Sequence, residues 1–489
     1  MRKGKTLFKW LLFLVILVLA FTVVCHVVER KESVRKYADL YAAGRADVLF
    51  IGSSHVINGI NPVQLFDEYG IAGYNLGGHG SILPAAYYEL LCALDIFSPR
   101  LVVVDGYMME RDYHYLDQMT EEYDDEERAS AVSQLHLNMD VFPLSRNKIY
   151  AVRDLIADRS LQMEFLFPFI LYHNRWSSLT SDDFLDGAHS PETNRLLGAE
   201  IRTRVEYRTA PHPDGDDELT DEIHLGESYL QMILALCRER GIQPAITFLP
   251  CNSTALDRQT AARLHALSEA ECVPYLDLLT EEAADFRTDF NDEGHLNLLG
   301  MTKTTRRVGR FISEECPVPD RRGDKAYRLW MDRAEQFDTQ KGKMLAEAKS
   351  LSEALVVLGS DRELGDAVLY LSGTGAAIGD PAVRNLLDAL VPENGLRKAA
   401  AAGEPALFIL PADASGSFDL SGYQVTDWMD TRLGELEAIQ VENFTGVYLD
   451  HDESENLLDM EENRLTDAQL VVLPADGSDK NRLLFNYDP

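Results

Sequence analysis

Apolar residues in this chain fall into short runs separated by stretches of helical periodicity. VLFIG (48–52) is followed by NPVQLFDEYG, where Pro62 and Gly70 mark the start and the end of a short helix. AGYNLG (72–77) precedes a helix from about Pro84 to Phe97, and LVVVDG (101–106) comes next. PAITFLP (244–250) precedes a helix near Leu256–Ala270. PYLDLL (274–279) precedes a loop and a helix from about Leu298 to Ile312. Strands rich in Val, Ile and Leu that alternate with helices predict a parallel α/β sheet covered on both faces. Residues 107–225 break the alternation. They are rich in aromatic and charged residues and read as a helical insertion that caps the carboxyl ends of the strands, the edge where such sheets bind ligands.

ECPVPDRRGDK (315–325) reads as a linker, and a long helical segment follows over about Tyr327–Leu355. The remainder mixes runs with strand character (ALVVLGS, AVLYLSG, ALFILPA, AQLVVLPA) with a helix near Pro381–Leu390. Residues 326–489 are therefore expected to form a second, smaller α/β domain. No repeat of fixed period is present.

The N-terminus has a different pattern. MRKGK leads into Trp10–Val28, which is almost wholly apolar. Nineteen helical residues span roughly 28 Å, about one hydrocarbon core. The flanking Arg2, Lys3, Lys5 and Lys9 favour a cytoplasmic N-terminus. No clear small-x-small cleavage site follows, so residues 1–30 read as an uncleaved signal-anchor at the cell membrane. Residues 31–45 read as a charged helical neck, and everything beyond lies outside the cytoplasm. A cleaved signal peptide is the alternative.

Of the 489 residues, 46% are apolar, enough for packed cores, and the formal net charge is −34. That balance argues against nucleic acid as a partner. The acidic runs at 117–127 and 213–222 lack the regular spacing of a calcium loop and read as solvated surface. Five cysteines lie beyond the anchor, scattered and without a CxxC pair, so neither a disulfide scaffold nor a zinc site is expected. No metal or other cofactor is expected.

Three motifs carry candidate chemistry. Gly52-Ser53-Ser54-His55 ends the first strand, where a glycine allows a sharp turn that lifts the next side chains out of the sheet. A plain serine-containing turn is the ordinary alternative. Asn75-Leu76-Gly77-Gly78-His79-Gly80-Ser81 follows the second strand, and its glycines permit close backbone approach to a substrate, with an N–H for an oxyanion. Asn291-Asp292-Glu293-Gly294-His295-Leu296-Asn297 follows the last strand of the first domain. An Asp three residues before a His can hold the imidazole tautomer while the other ring nitrogen takes a serine proton.

Serine after strand one, a glycine loop after strand two and D-x-x-H after the last strand resemble the SGNH (GDSL-like) hydrolases over residues 46–314. The order is similar to that of the membrane-anchored branch that includes teichoic acid D-alanine-transfer and alginate O-acetylation proteins. The resemblance implies a flavodoxin-like sandwich with Ser54 as nucleophile, His295 as general base and acid, and Asp292 orienting His295. It implies an oxyanion hole from the Ser54 and Gly80 N–H groups. The family's third block supplies an asparagine to that hole, whereas the matching strand end here reads Asp105-Gly106-Tyr107-Met108-Met109. Within the insertion, His173, Arg175 and Trp176 stand together and suit a sugar or phosphate, since a guanidinium binds oxygens and an indole stacks on a ring. A helix end with an anchoring Trp is the equal alternative. The last strands of the chain resemble interleukin-like ILEI/stem domains, which implies a binding or docking module.

Two functions follow as expectations. One is an anchored, extracytoplasmic esterase or O-acyltransferase acting on an envelope polysaccharide or teichoic acid, beside a multipass membrane-bound O-acyltransferase. The other is a non-catalytic envelope glycan-binding or scaffold protein that reuses the SGNH fold.

Overall fold

The fold comes from a computed structural model, which describes residues 2–28, 40–110, 124–184, 196–206, 223–412, 418–419, 424–431, 434–441, 444–450, 456–458, 467–474 and 483–487, apart from 168, 282 and 393. Helix α1 (Arg2–Val28) carries the N-terminal apolar run. Its stretch Phe8–Val28 has a mean hydropathy of 3.0 and is mostly exposed, long and apolar enough to cross a membrane. Most of the expected neck lies outside the described residues.

The first sheet begins with β1 (Val48–Ile51), α2 (Ser54–Gly59), α3 (Pro62–Tyr69), β2 (Gly73–Asn75), α4 (Leu83–Leu94) and β3 (Leu101–Asp105). Local chemistry sets these boundaries. The Asn61 side chain accepts the Val63 and Gln64 N–H groups at the start of α3, Pro62 occupies its first turn, and Gly70 ends it at φ 71°. The insertion contributes α5 (Asp125–Met139), α6 (Arg146–Leu155), α7 (Arg159–Leu166) and α8 (Phe169–Tyr172). The sheet resumes with α9 (Leu225–Glu239), β4 (Gln243–Phe248), α10 (Ala255–Glu271), β5 (Tyr275–Asp277) and α11 (Leu298–Glu315).

The strand order is β2-β1-β3-β4-β5, and every pairing is parallel. β1 and β3 are wholly buried, as strands covered on both faces must be. The winding reverses between β1 and β3, so the carboxyl ends of those two strands open the crevice where side chains from different connections can meet.

A short piece of the insertion, residues 196–206, is threaded across this crevice. Asn75 N donates to Leu197 O (2.9 Å), Glu200 N to Ile57 O (3.0 Å), Glu206 N to Phe290 O (3.0 Å) and Leu298 N to Arg202 O (2.7 Å). It therefore ties together the ends of β2 and α2 and the loop before α11.

Beyond α11 the chain adds α12 (Arg328–Ala346), α13 (Leu351–Ser360), β6 (Gly365–Leu371), α14 (Pro381–Leu390), β7 (Ala406–Leu410), β8 (Phe418–Asp419), β9 (Gln424–Thr431), β10 (Gly434–Val441), β11 (Phe444–Leu449), β12 (Ala468–Pro474) and β13 (Leu483–Tyr487). One sheet runs β13-β12-β6-β7-β8 and a second β11-β10-β9, both antiparallel throughout, in contrast to the first sheet. ALVVLGS, expected as a strand, is the helix α13. Ser350 caps it by accepting the Glu353 N–H, and its apolar residues are buried against α11, α12 and α14, so an all-round apolar run reads equally as a core helix. Tyr327–Leu355 is likewise two helices, broken between Ala346 and Leu351.

The chain between the sheets packs closely on the first one. Arg321 pairs with Asp47 through Nε (2.6 Å), Arg321 N donates to Gly70 O (2.9 Å), and the buried Trp330 donates from its indole to Gly73 O (2.8 Å). One hydrophobic cluster contains Leu49 and Val104 of the first sheet together with Leu369, Phe408 and Leu470 of the second.

Candidate active site

The turn after β1 is built on Gly52, whose φ of +151° is open to glycine alone. A Cβ there would stand 2.9 Å from both Asp105 Cβ and Val56 Cγ2. Ser53 Oγ caps α2 by accepting the His55 N–H (3.3 Å), so Ser53 is spent on the backbone and Ser54 opens the helix. The Asn75 side chain donates to Val56 O (3.1 Å) and Ile60 O (2.7 Å), pinning α2 from the end of β2. The glycine loop lies directly against the turn. Gly78 N donates to Gly52 O (3.1 Å), and a Cβ on Gly77 would be 2.7 Å from Ser53 O. Gly80 adopts φ 56° in the turn that Ser81 N closes on Gly78 O.

Ser54 and His295, 241 residues apart, meet here: Ser54 Oγ lies 2.7 Å from His295 Nε2. On the other side of the ring, Nδ1 is 2.6 Å from Asp292 Oδ1. The same Asp292 oxygen accepts the His295 (3.0 Å) and Gly294 (3.1 Å) backbone N–H groups, so the carboxylate also shapes the loop that presents the imidazole. This network assigns the proton to Nδ1 and leaves Nε2 to accept from the Ser54 hydroxyl. Asn297 caps α11 by accepting the Leu299 and Gly300 N–H groups, which fixes where the loop ends.

The strap 196–206 adds charge to this arrangement. Arg202 donates to Asp292 Oδ2 (3.2 Å), where Asn291 also donates (3.0 Å), and Glu200 pairs with the ring of His79 (3.0 Å). Burial pushes the Asp292 carboxyl up, but the charge of His295 and the hydrogen bonds it receives outweigh that and hold it below the usual carboxylate range. Burial takes the His295 imidazole below its ordinary value of 6.5, with the positive charge of Arg202 adding to the effect against the pull of Asp292. A neutral imidazole at pH 7 beside a serine hydroxyl is able to accept its proton. Arg202 and Glu200 were not foreseen from the sequence, because nothing in a stretch of mixed composition marks two residues that act from the middle of a long insertion.

Other residues complete the picture. Tyr107, just past the end of β3, stacks on His55 with ring centroids 3.7 Å apart. Asp105 is wholly buried and accepts the Leu249 N–H (3.1 Å); burial pushes its carboxyl up to about 7. The structure does not bring His173, Arg175 and Trp176 to Ser54. Arg175 donates to Val28 O (2.7 Å) at the end of α1 and to Asp183 (3.2 Å), His173 bonds Ile170 O, and Trp176 is exposed. The Arg175 guanidinium is thus held by a carbonyl at the end of α1 and by a carboxylate of the insertion. Arg175 also lines a cavity of about 780 Å³ with His136, Tyr172 and Arg128, formed within the insertion.

No family model matches the chain, and no curated protein matches it. Among solved structures the chain is similar to a "putative acylhydrolase" from Bacteroides fragilis, 11% identical over 58% of this chain and 98% of that one, at a TM-score of 0.29. It is also similar to a GDSL-like lipase from Bacteroides thetaiotaomicron, 11% identical over 58% of this chain and 97% of that one, at a TM-score of 0.27.

Proposed function

We propose that the chain is a membrane-anchored, extracytoplasmic serine esterase or O-acyltransferase of SGNH type that acts on a cell-envelope polysaccharide or teichoic acid. The observation that carries this reading is the unbroken relay from Ser54 Oγ through His295 to Asp292, at 2.7 and 2.6 Å. Ser54 Oγ attacks the acyl carbonyl carbon and its proton passes to His295 Nε2, while Asp292 holds the imidazolium that forms. Collapse of the tetrahedral intermediate breaks the ester C–O bond, and the departing alkoxide takes the proton from His295. Water or a sugar hydroxyl then attacks the acyl-enzyme with His295 as base, and which acceptor arrives decides hydrolysis or transfer. The Ser54 and Gly80 N–H groups are the proposed oxyanion donors. Ser54 stands in the first turn of α2, where N–H groups have no acceptor within the helix. A multipass membrane-bound O-acyltransferase is the proposed partner that supplies activated acyl groups, and α1 is the proposed anchor.

A fluorophosphonate probe tests the proposal on the full chain. Wild type should label covalently and Ser54→Ala should not; an unlabelled wild type, or equal labelling of the two, overturns it. One observation favours a second reading, a glycan-binding envelope protein: the strand end and turn Asp105–Met109 carry no asparagine to serve an oxyanion hole. On that reading Ser54→Ala would bind envelope glycan as well as wild type does, and neither would label.

A further inference from the structure

We propose that the insertion helices α7 and α8 and the turn after them form a platform that beds into the surface of the same lipid bilayer that α1 crosses. The proposal rests on reading α1 as a membrane span. Met163 in α7, Phe167 at its C-terminal end and Ile170 in α8 are all exposed, while Phe165 and Tyr172 of the same two helices are buried. Trp176, 55% exposed, follows on the next turn. A soluble surface does not ordinarily collect large apolar side chains in this way.

The seam is joined to α1. The Phe21 and Phe169 rings meet edge to face at 5.0 Å, and Arg175 donates to Val28 O. Phe21 lies seven residues before Val28, so Phe169 touches the span about 10 Å from its end, at 1.5 Å per residue. Interfacial helices bury an apolar face about 5–10 Å deep, with aromatic residues at headgroup level. With the span in hydrocarbon, Phe169 and Arg175 bring the seam to the interface at that end of α1.

Charge agrees with that occupant. Between Pro143 and Trp176 the basic residues are Arg146, Lys148, Arg153, Arg159 and Arg175, against Asp154, Asp158 and Glu164, so five minus three gives +2 in a chain of net charge −34. Exposed Arg153 and Arg159 suit anionic headgroups.

The test uses the full chain in vesicles of phosphatidylcholine and phosphatidylglycerol, with phosphatidylcholine brominated near the headgroup end of its acyl chains as a contact quencher. Trp176 emission is the difference between wild type and Trp176→Phe, and Trp10 emission is read the same way from Trp10→Phe. Bromolipid should abolish most of the Trp176 difference, and Phe167→Asp with Ile170→Asp should restore it while the Trp10 difference stays quenched. A Trp176 difference untouched by bromolipid, with Trp10 quenched, overturns the platform and leaves that face to a protein partner. Loss of quenching at Trp10 as well would overturn the span on which the proposal rests.

Discussion

At the scale of single residues, the site depends on how each ionisable group is held. His295 titrates below 6.5, so esterase kcat/KM should rise with pH through a limb below that value and level off near neutrality. Arg202 helps to depress it, and Arg202→Gln should move that limb to higher pH. Asp105 titrates near 7 from its own buried site, and a limb belonging to it would not move in that variant. A pH–rate profile on a chromogenic acetate ester checks both; an unmoved limb means Arg202 does not act on His295. Ser54, Asp292 and His295 were legible because strand ends and D-x-x-H carry local signals. Arg202 was not, because its effect depends on a tertiary approach across ninety residues that no periodicity records.

At the scale of elements, the glycine loop shapes the serine turn through contact rather than sequence. Gly77→Ala would force a methyl to 2.7 Å from Ser53 O, a backbone atom that has little room to yield. Overpacking of this kind costs about 1–3 kcal/mol. The strain falls on the turn that aims Ser54, so the loss of esterase activity should exceed what the drop in urea midpoint explains. Proportionate losses would place Gly77 outside the site. The parallel strands and their helices were readable because buried strands carry continuous apolar runs bounded by Pro, Gly and Asn. α13 was not readable, because the same continuous apolarity serves a helix buried all round. The antiparallel direction of the later sheet is decided by connections and packing, which individual strand runs do not encode.

For the whole molecule, the shared hydrophobic cluster and the Arg321–Asp47 and Trp330–Gly73 contacts bind the later sheet to the first. The two should therefore melt together, and calorimetry of the detergent-solubilised chain should give one transition for both. Trp330→Ala removes a fully buried indole and should cost about 3–5 kcal/mol, lowering that transition as one. Two separated peaks in wild type would mean that the sheets are thermodynamically independent.

The strap 196–206 bears on how such a protein can change over time. Insertions between strands are usually where a fold tolerates loss, since deleting a loop leaves its scaffold standing. Here the insertion gives back four backbone hydrogen bonds and a guanidinium to the end of β2, to α2 and to the loop before α11. Trimming residues 107–225 to a short turn would keep the five-stranded sheet, the serine and the histidine, and still strip Asp292 of the Arg202 guanidinium. The addition has become a dependency, so descendants of this chain can vary the insertion's helices far more freely than the few residues by which it is stitched to the site.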